Sequence, residues 1–175
     1  NNAAVTGEQL EDKGQVPAAF ADCSLESWNT VLRVNLTSAF LIARQMDRNF
    51  IGKYPCKLLN VSSVYGLYSP RHRIYEDSRI KPFAAYSASK AGIHGLTVWL
   101  AGYWSEREVT VNTLSPGGVF NNQGDTLVGE ISKLNMMSRM AEAREISSVL
   151  SFLCSSASDY MNGQNIYADG GYSAW

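Results

Sequence analysis

The stretch KLLNVSS, from Lys57 to Ser63, decides the fold of this 175-residue chain. It is short, apolar in its centre and followed by a turn-rich region, which is the pattern of a strand buried on both faces. Buried strands of this kind pair in parallel and are joined by crossover connections, usually helices. The segments that flank the stretch therefore decide whether it belongs to an α/β sheet.

Helical periodicity stands on both sides of this strand. Residues 5–22 are polar and predict a surface loop, after which apolar residues recur at steps of three and four, predicting a helix over about 24–51. Ser24 is suited to cap the start of this helix. After the strand, a second helix is predicted over about 83–106, and it is apolar nearly all round. Such a helix needs a sheet beneath it and another helix, such as one from a second subunit, above it.

The same alternation continues to the end of the chain. Val109–Leu114 is a β-branched strand, and the sequence SPGG at 115–118 ends it. A loop containing Gly and Asn follows, then a helix over about 142–155 and a last strand at Gln164–Ala168. This order predicts right-handed parallel crossovers in one α/β domain, a doubly wound parallel sheet of the Rossmann-type three-layer sandwich.

Composition excludes several classes of function. With 45% hydrophobic residues, 18% charged residues and a net charge of −1, the chain has a core but no basic field for nucleic acid. No apolar run approaches the ~18 residues of a membrane span, so we expect neither a nucleic-acid nor a membrane partner. The cysteines Cys23, Cys56 and Cys154 fit reduced thiols packed as small core side chains in a cytoplasmic protein. His72 and His94 are too isolated to predict a metal site, and we assign both to the surface or to packing.

Tyr86 and Lys90 are the first candidates for chemistry. At positions i and i+4 they stand one above the other on a helix face. Ligands of an open α/β sheet bind outside the carboxyl ends of its strands, where Ser62, Ser63 and residues 116–119 also fall. A tyrosine that donates a proton to a carbonyl needs its pKa lowered from about 10, and a neighbouring ammonium acts in that direction. Taken alone, the pair equally describes the surface of a helix.

Six short motifs occur in a fixed order along the chain. They are Asn1-Asn2-Ala3-Ala4, Asn35, Asn60-Val61-Ser62-Ser63, Tyr86-x-x-x-Lys90, Pro116-Gly117-Gly118-Val119 and Asp169-Gly170-Gly171. The ordered set resembles the classical short-chain dehydrogenase/reductase family, and the resemblance covers essentially the whole chain. It implies an oxidoreductase that transfers a hydride between NAD or NADP and a small-molecule alcohol or carbonyl compound.

The resemblance also implies a role for each motif. Tyr86 would be the general acid/base, and Lys90 would lower the tyrosine pKa and hold the nicotinamide ribose. Ser63 would polarise the substrate carbonyl, and Asn35 would hold a water that links Lys90 to solvent. Further cofactor contacts are implied at the adenosine ribose and at the nicotinamide by Asn2, Ala3, Pro116, Gly117 and Val119.

Each assignment has an alternative. Neighbours on a strand point to opposite faces, so the exposed hydroxyl is either Ser63 or Ser62. Asn35 is either functional or a tolerated polar residue in the middle of a helix. The Trp and Tyr residues near the carboxyl terminus fit packing or subunit contacts better than substrate contacts.

Two local features depart from the family pattern. Ser63 and Tyr86 are 23 positions apart, about ten more than is usual in the family, and the extra length falls around Arg71–Ile80. This insertion either shapes the substrate pocket, with its arginines receiving an anionic or sugar-acid substrate, or is a solvated loop. The Thr or Ser common after the Pro-Gly turn is absent, so a side-chain bond to the nicotinamide carboxamide falls to Asn121 or is lost.

The third departure is the Gly-rich dinucleotide fingerprint. None of the 14 glycines fall at G-x-x-x-G-x-G or G-x-G-x-x-G spacing, whereas in the family that turn receives the pyrophosphate. We therefore expect residues 1–175 to be a single partial domain, about the C-terminal two-thirds of a reductase and inactive by itself. The preference between NAD and NADP is undetermined.

The remaining expectations concern substrate, assembly and a competing function. The arginines of the insertion favour a sugar-derived or hydroxy-acid substrate over a fatty acyl thioester. The family resemblance and the apolar second helix predict a homodimer or homotetramer in the cytoplasm. The competing function is a non-catalytic module, either a truncated reductase fragment or an assembly domain that oligomerises through its long helices.

Overall fold

The structure is a computed structural model that describes residues 1–6, 20–76, 78 and 81–175. The predicted loop at 5–22 falls largely outside the described residues, and so do residues 77, 79 and 80 of the insertion.

Helices and strands alternate along the chain as the sequence predicts. The helices are α1 Leu25–Leu32, α2 Ser38–Asn49, α3 Ala84–Tyr103, α4 Asp125–Ser132 and α5 Ala143–Cys154. The strands are β1 Cys56–Val61, β2 Val109–Pro116 and β3 Asn165–Ala168. A π-helical segment, Arg33–Thr37, joins α1 to α2, so the helix predicted over 24–51 is one continuous element with an irregular centre.

The three strands form a parallel sheet in the order β1-β2-β3. Cys56 pairs with Val109 and Thr113 pairs with Asn165, which aligns the carboxyl ends of the strands at one edge. Both α3 and α5 contact β1 and β2. The predicted α/β fold with a parallel sheet is therefore confirmed.

The loop predicted after β2 is wrong in one respect, because α4 forms within it. This helix is only eight residues long, contains Gly129 and buries a single side chain, Leu127. Such a short segment has too few apolar positions to give a helical period.

The core lies between the sheet and the helices. Leu58 and Val111 pack with α3 residues, and Trp104 is fully buried beside them. The prediction of three core cysteines is wrong for Cys154, which is exposed at the end of α5, while Cys23 and Cys56 are half-buried and all three thiols are free. No helix within the described residues has both the length and the apolar character needed to cross a membrane.

Candidate active site

The two serines after β1 have different surroundings. Ser62 is buried, and its hydroxyl donates to the backbone oxygen of Lys90 at 2.9 Å and lies 3.1 Å from His94 Nε2. Ser63 is half-buried, accepts a hydrogen bond from the backbone N–H of Tyr65 at 3.2 Å and lines a cavity together with Tyr86. The alternation of side chains along the chain thus directs Ser62 into the fold and Ser63 into the cavity.

Tyr86 and Lys90 both lie in the first two turns of α3. The Lys90 Nζ atom is 5.6 Å from the centre of the Tyr86 ring, and it donates a hydrogen bond of 3.0 Å to the backbone oxygen of Val61. Lys90 is buried, so its side chain runs from the helix to the carboxyl end of β1. The structure therefore brings Ser63, Tyr86 and Lys90 together at the edge where ligands of such sheets bind.

The electrostatics of this cluster are dominated by burial. Burial lowers the pKa of Lys90 from 10.5 to about 8. Burial also raises the pKa of Tyr86, and a hydrogen-bonding interaction with Ser63 opposes this only in part. This direction is opposite to the one that the family resemblance implies, because the removal of water from the phenolate outweighs the hydrogen bond with Ser63.

Asn35 lies in the π-helical segment and is buried. Its Oδ1 accepts from the backbone N–H of Val5 at 2.6 Å, and its Nδ2 donates to the Val5 oxygen at 3.2 Å and to Ser89 Oγ at 3.1 Å. The side chain therefore ties residues 1–6 to α3, which gives a physical reason for asparagine in this helix. Because Val5 and Ser89 occupy the side-chain amide, the relay water predicted for Asn35 stays a prediction.

The Pro-Gly turn after β2 packs closely against the segment that follows β3. A Cβ atom at Gly117 would lie 2.8 Å from the Asp169 Cα atom, so only glycine permits this approach. Gly117 also lines the cavity, whereas Val119 pairs with Ala141 in an isolated bridge. The Asn121 side chain is exposed.

The amino-terminal motif runs beside β1. The backbone oxygen of Asn1 accepts from the N–H of Val61 at 2.9 Å, and its amino group donates to the Leu59 oxygen at 2.7 Å. Asn2 and Ala3, which follow, are exposed. Their contact with an adenosine ribose stays a prediction.

The cavity beside Ser63 and Tyr86 has a volume of about 210 Å³. The insertion contributes Tyr75 to its wall, and the carboxyl-terminal segment contributes Tyr172. Tyr172 packs edge-on against Tyr65, with ring centres 6.1 Å apart. The insertion therefore borders the candidate site. Tyr172 both lines the cavity and packs against Tyr65.

The arginines of the insertion do not line this cavity. Arg71 and Arg73 are exposed and line a separate surface cleft with Lys133 and Trp175. Arg79 lies outside the described residues. That the arginines receive a substrate stays a prediction, since their cleft shares Leu134 and Tyr172 with the cavity.

The arrangement can serve proton chemistry on a bound oxygen. The Ser63 hydroxyl and the Tyr86 phenol face one cavity, and both can donate a hydrogen bond to the same carbonyl oxygen. Within the described ranges, no group of three or more His, Cys, Asp or Glu side chains is placed to hold a metal ion.

Comparison with known proteins gives a family-level match over nearly the whole chain. A family model described as enoyl-(acyl carrier protein) reductase matches residues 1–173. The 3-oxoacyl-[acyl-carrier-protein] reductase of Aquifex aeolicus is 31% identical over 175 residues, covering 98% of this chain and 63% of that protein. The chain spans between 56% and 63% of the length of the first curated relatives that it matches.

Two solved structures are similar in both fold and sequence. A short-chain dehydrogenase from Leptospira borgpetersenii with bound NAD⁺ superposes with a TM-score of 0.83 at 32% identity, covering 99% of this chain and 63% of that one. A putative NAD(P)-dependent gluconate 5-dehydrogenase from Beutenbergia cavernae with bound NADP gives 0.82 at 28% identity, covering 99% and 65%.

Proposed function

Because the chain belongs to the short-chain dehydrogenase/reductase family, we propose that the protein is an NAD(P)-dependent oxidoreductase acting on an alcohol or a ketone. The observation that carries this proposal is the cavity shared by Ser63 and Tyr86, with Lys90 beside the tyrosine. Ser63 supplies a hydroxyl that polarises a carbonyl, and Tyr86 supplies a proton to the same oxygen.

The fit of a nicotinamide cofactor can be judged from Lys90. Its ammonium has three N–H donors, and Val61 accepts one of them. Two donors remain for the hydroxyls of a ribose, so the residues present fit a nucleotide such as NAD or NADP. When bound, the cofactor supplies or accepts the hydride. We assign its other contacts to the residues that the family pattern marks, namely Asn2, Ala3, Pro116, Gly117 and Val119.

In the direction of reduction, Tyr86 is the proton donor. Its raised pKa keeps the phenol protonated at neutral pH, so the proton is available for the substrate oxygen. After the transfer, the phenolate is stabilised by Lys90, whose ammonium is largely charged below a pKa of about 8. In oxidation the same groups act in reverse, and Tyr86 accepts the proton of the alcohol.

The substrate is, in our proposal, sugar-derived or a hydroxy acid. One similar protein is named a 3-oxoacyl-[acyl-carrier-protein] reductase and another a putative gluconate 5-dehydrogenase. The comparisons alone therefore do not choose between these two classes of substrate. The arginines do not decide the choice either, since Arg71 and Arg73 line a neighbouring cleft. The choice of substrate class is therefore based on the residues that line the cavity.

The long helices carry the proposal for assembly. On α3, Trp99 is 61% exposed and stacks on Tyr103 with ring centres 4.8 Å apart. On α2, Phe40, Leu41 and Ile42 are exposed as well. Exposed large apolar side chains on adjoining elements mark interaction surfaces, so we propose a homodimer or homotetramer that covers them. The three free thiols support the cytoplasm as its compartment.

The test of the proposed reaction is a rate measurement on the full-length gene product. Wild type and Tyr86→Phe are assayed with NADH and with NADPH against a panel of ketones and aldehydes. Loss of the acid should lower kcat/KM by about 10²-fold to 10⁴-fold. The control is Tyr54→Phe, an exposed tyrosine in the loop after α2, which should match wild type. Equal rates for Tyr86→Phe and wild type would exclude the proposed role.

A further inference from the structure

The insertion places one tyrosine at the candidate active site. Tyr75 lies in the short 3-10 turn His72–Tyr75 and is 5% exposed, although most of its sequence neighbours are exposed. Its side chain lines the cavity of about 210 Å³ that also contains Ser63 and Tyr86.

Lys81 fixes the position of this turn. Its Nζ donates to the backbone oxygen of Tyr75 at 2.8 Å and to that of Glu76 at 2.7 Å. Two short hydrogen bonds from one ammonium hold the backbone at Tyr75 and at the residue that follows it. Tyr75 is therefore a built part of the cavity wall.

The hydroxyls of Tyr75 and Tyr65 form a pair. Their oxygens lie 2.7 Å apart, and either atom can be the donor. Two phenols carry two O–H protons, and the mutual hydrogen bond uses one. The second O–H and the remaining lone pairs are left for a ligand in the cavity.

Two other polar side chains on the same wall already have hydrogen-bond partners. Tyr172 donates its O–H to the backbone oxygen of Ser69 at 3.0 Å. Asp169 accepts from the N–H groups of Gly171 and Ser173 at 3.0 and 2.9 Å. Away from Ser63 and Tyr86, the phenol pair is thus one donor that the cavity offers, beside the third N–H of the Lys81 ammonium.

The phenol pair itself is neutral, although Lys81 and Asp169 bring one positive and one negative side chain to the same cavity. Burial raises the pKa of both Tyr65 and Tyr75, so both phenols stay protonated at physiological pH. Asn135 also lines the cavity, and its buried Oδ1 has no hydrogen-bond partner among the described residues. A phenol pair with one unused O–H is complementary to a hydroxyl group, because a phenol can both donate and accept a hydrogen bond.

We propose that Tyr75, paired with Tyr65, is a specificity-determining residue that binds a neutral hydroxyl next to the reacting carbon of the substrate. This inference rests on the proposed oxidoreductase function and narrows its substrate to hydroxyketones and the corresponding diols, the chemistry of carbohydrates. The remainder of a larger substrate would lie outside this cavity. The adjoining groove of about 900 Å³, which shares Tyr65, Tyr75 and Lys81 with the cavity, has room for it.

The test compares two ketones that differ by one hydroxyl, acetoin and butanone. Wild type should prefer acetoin by about tenfold in kcat/KM, the effect of one well-formed hydrogen bond. Tyr75→Phe and Tyr65→Phe should each bring this ratio to within about twofold of unity, because the rate on acetoin falls further than the rate on butanone. Tyr54→Phe should keep the wild-type ratio.

The outcomes separate this inference from the proposed function. A wild-type enzyme without preference for acetoin overturns the inference, and so does a preference that survives both substitutions. A merely structural effect of Tyr75→Phe would lower both rates together and leave the ratio unchanged, which also counts against it. Absence of turnover on every carbonyl with either cofactor overturns the proposed function, and this inference falls with it.

Discussion

At the scale of single residues, burial disfavours the charged forms of both Tyr86 and Lys90, whereas their spacing on one helix face predicts that an ammonium favours the phenolate. Burial raises the pKa of Tyr86 and lowers that of Lys90 to about 8, so desolvation opposes the charged form of each group. The Lys90 ammonium is held by Val61 at 3.0 Å and lies 5.6 Å from the centre of the tyrosine ring. The pair therefore consists of a protonated phenol and a neighbouring ammonium, and the ammonium can stabilise the phenolate once the proton has left.

The depressed pKa of Lys90 predicts a dependence of stability on pH. Between pH 8 and pH 10.5 the unfolded chain retains the lysine proton while the folded chain has released it. The free energy of unfolding should therefore rise with pH across this window, by up to about 3 kcal/mol. Lys90→Met removes this contribution, so urea denaturation should show wild type gaining stability relative to the variant as pH increases.

Two comparisons make this prediction specific. The raised pKa of Tyr86 acts in the opposite direction above pH 10 but is present in both proteins, so it cancels in their difference. Lys133→Met alters a lysine whose side chain is 71% exposed, and its difference from wild type should stay flat. A flat difference for Lys90→Met as well would contradict the account.

At the scale of elements, the π-helical segment Arg33–Thr37 links the amino-terminal residues 1–6 to α3. Such irregular turns within helices occur frequently at functional sites. Here the irregular turn carries Asn35, whose amide bonds both backbone groups of Val5 as well as Ser89. The three bonds are tertiary contacts, so no local pattern in the sequence could predict the change in helix type.

Asn35→Ala should be strongly destabilising. It removes both hydrogen bonds of the half-buried Val5 backbone and one of those of the buried Ser89 side chain, which should lower the free energy of unfolding by about 2 to 4 kcal/mol. Asn49→Ala is the matched control, since Asn49 is exposed at the end of α2 and bonds only the Gln45 oxygen; its cost should stay within about 0.5 kcal/mol. Urea denaturation that gives equal costs would show that Asn35 is merely tolerated.

Elements with a sustained period could be predicted from sequence, and those fixed by contacts could not. The bounds of α3 and α5 lie close to prediction because long apolar patterns define them. The helix α4 escaped prediction because it buries only Leu127. In the insertion, the charged arginines are visible in the sequence as candidate substrate ligands. The burial of Tyr75 is not visible there, because its hydroxyl is paired with that of Tyr65, which lies outside the insertion.

At the scale of the whole molecule, the proposed assembly rests on the large apolar side chains that the two long helices leave exposed. Trp99 and Tyr103 stack in solvent on α3, and exposed aromatic pairs of this kind are typical of interface centres. The proposed dimer or tetramer buries them. Trp99→Glu places a charge in that interface and should shift the protein to a monomer.

Light scattering at a range of concentrations measures this prediction. Tyr160→Glu is the control, because Tyr160 is fully exposed near the end of α5 and lies outside the two long helices; it should leave the assembly intact. A wild-type protein that is monomeric at high concentration would contradict the proposed interface.

The central claim is hydride transfer with Tyr86 as the proton donor, and isotope transfer tests it most directly. Reduced cofactor carrying deuterium at its transferable position is incubated with a ketone that the full-length gene product reduces, and the alcohol is analysed by mass spectrometry. The account predicts one deuterium on the carbinol carbon with wild type and with Tyr54→Phe, and almost none in the same time with Tyr86→Phe. Alcohol that forms without the label, or equal labelling by Tyr86→Phe, would contradict it.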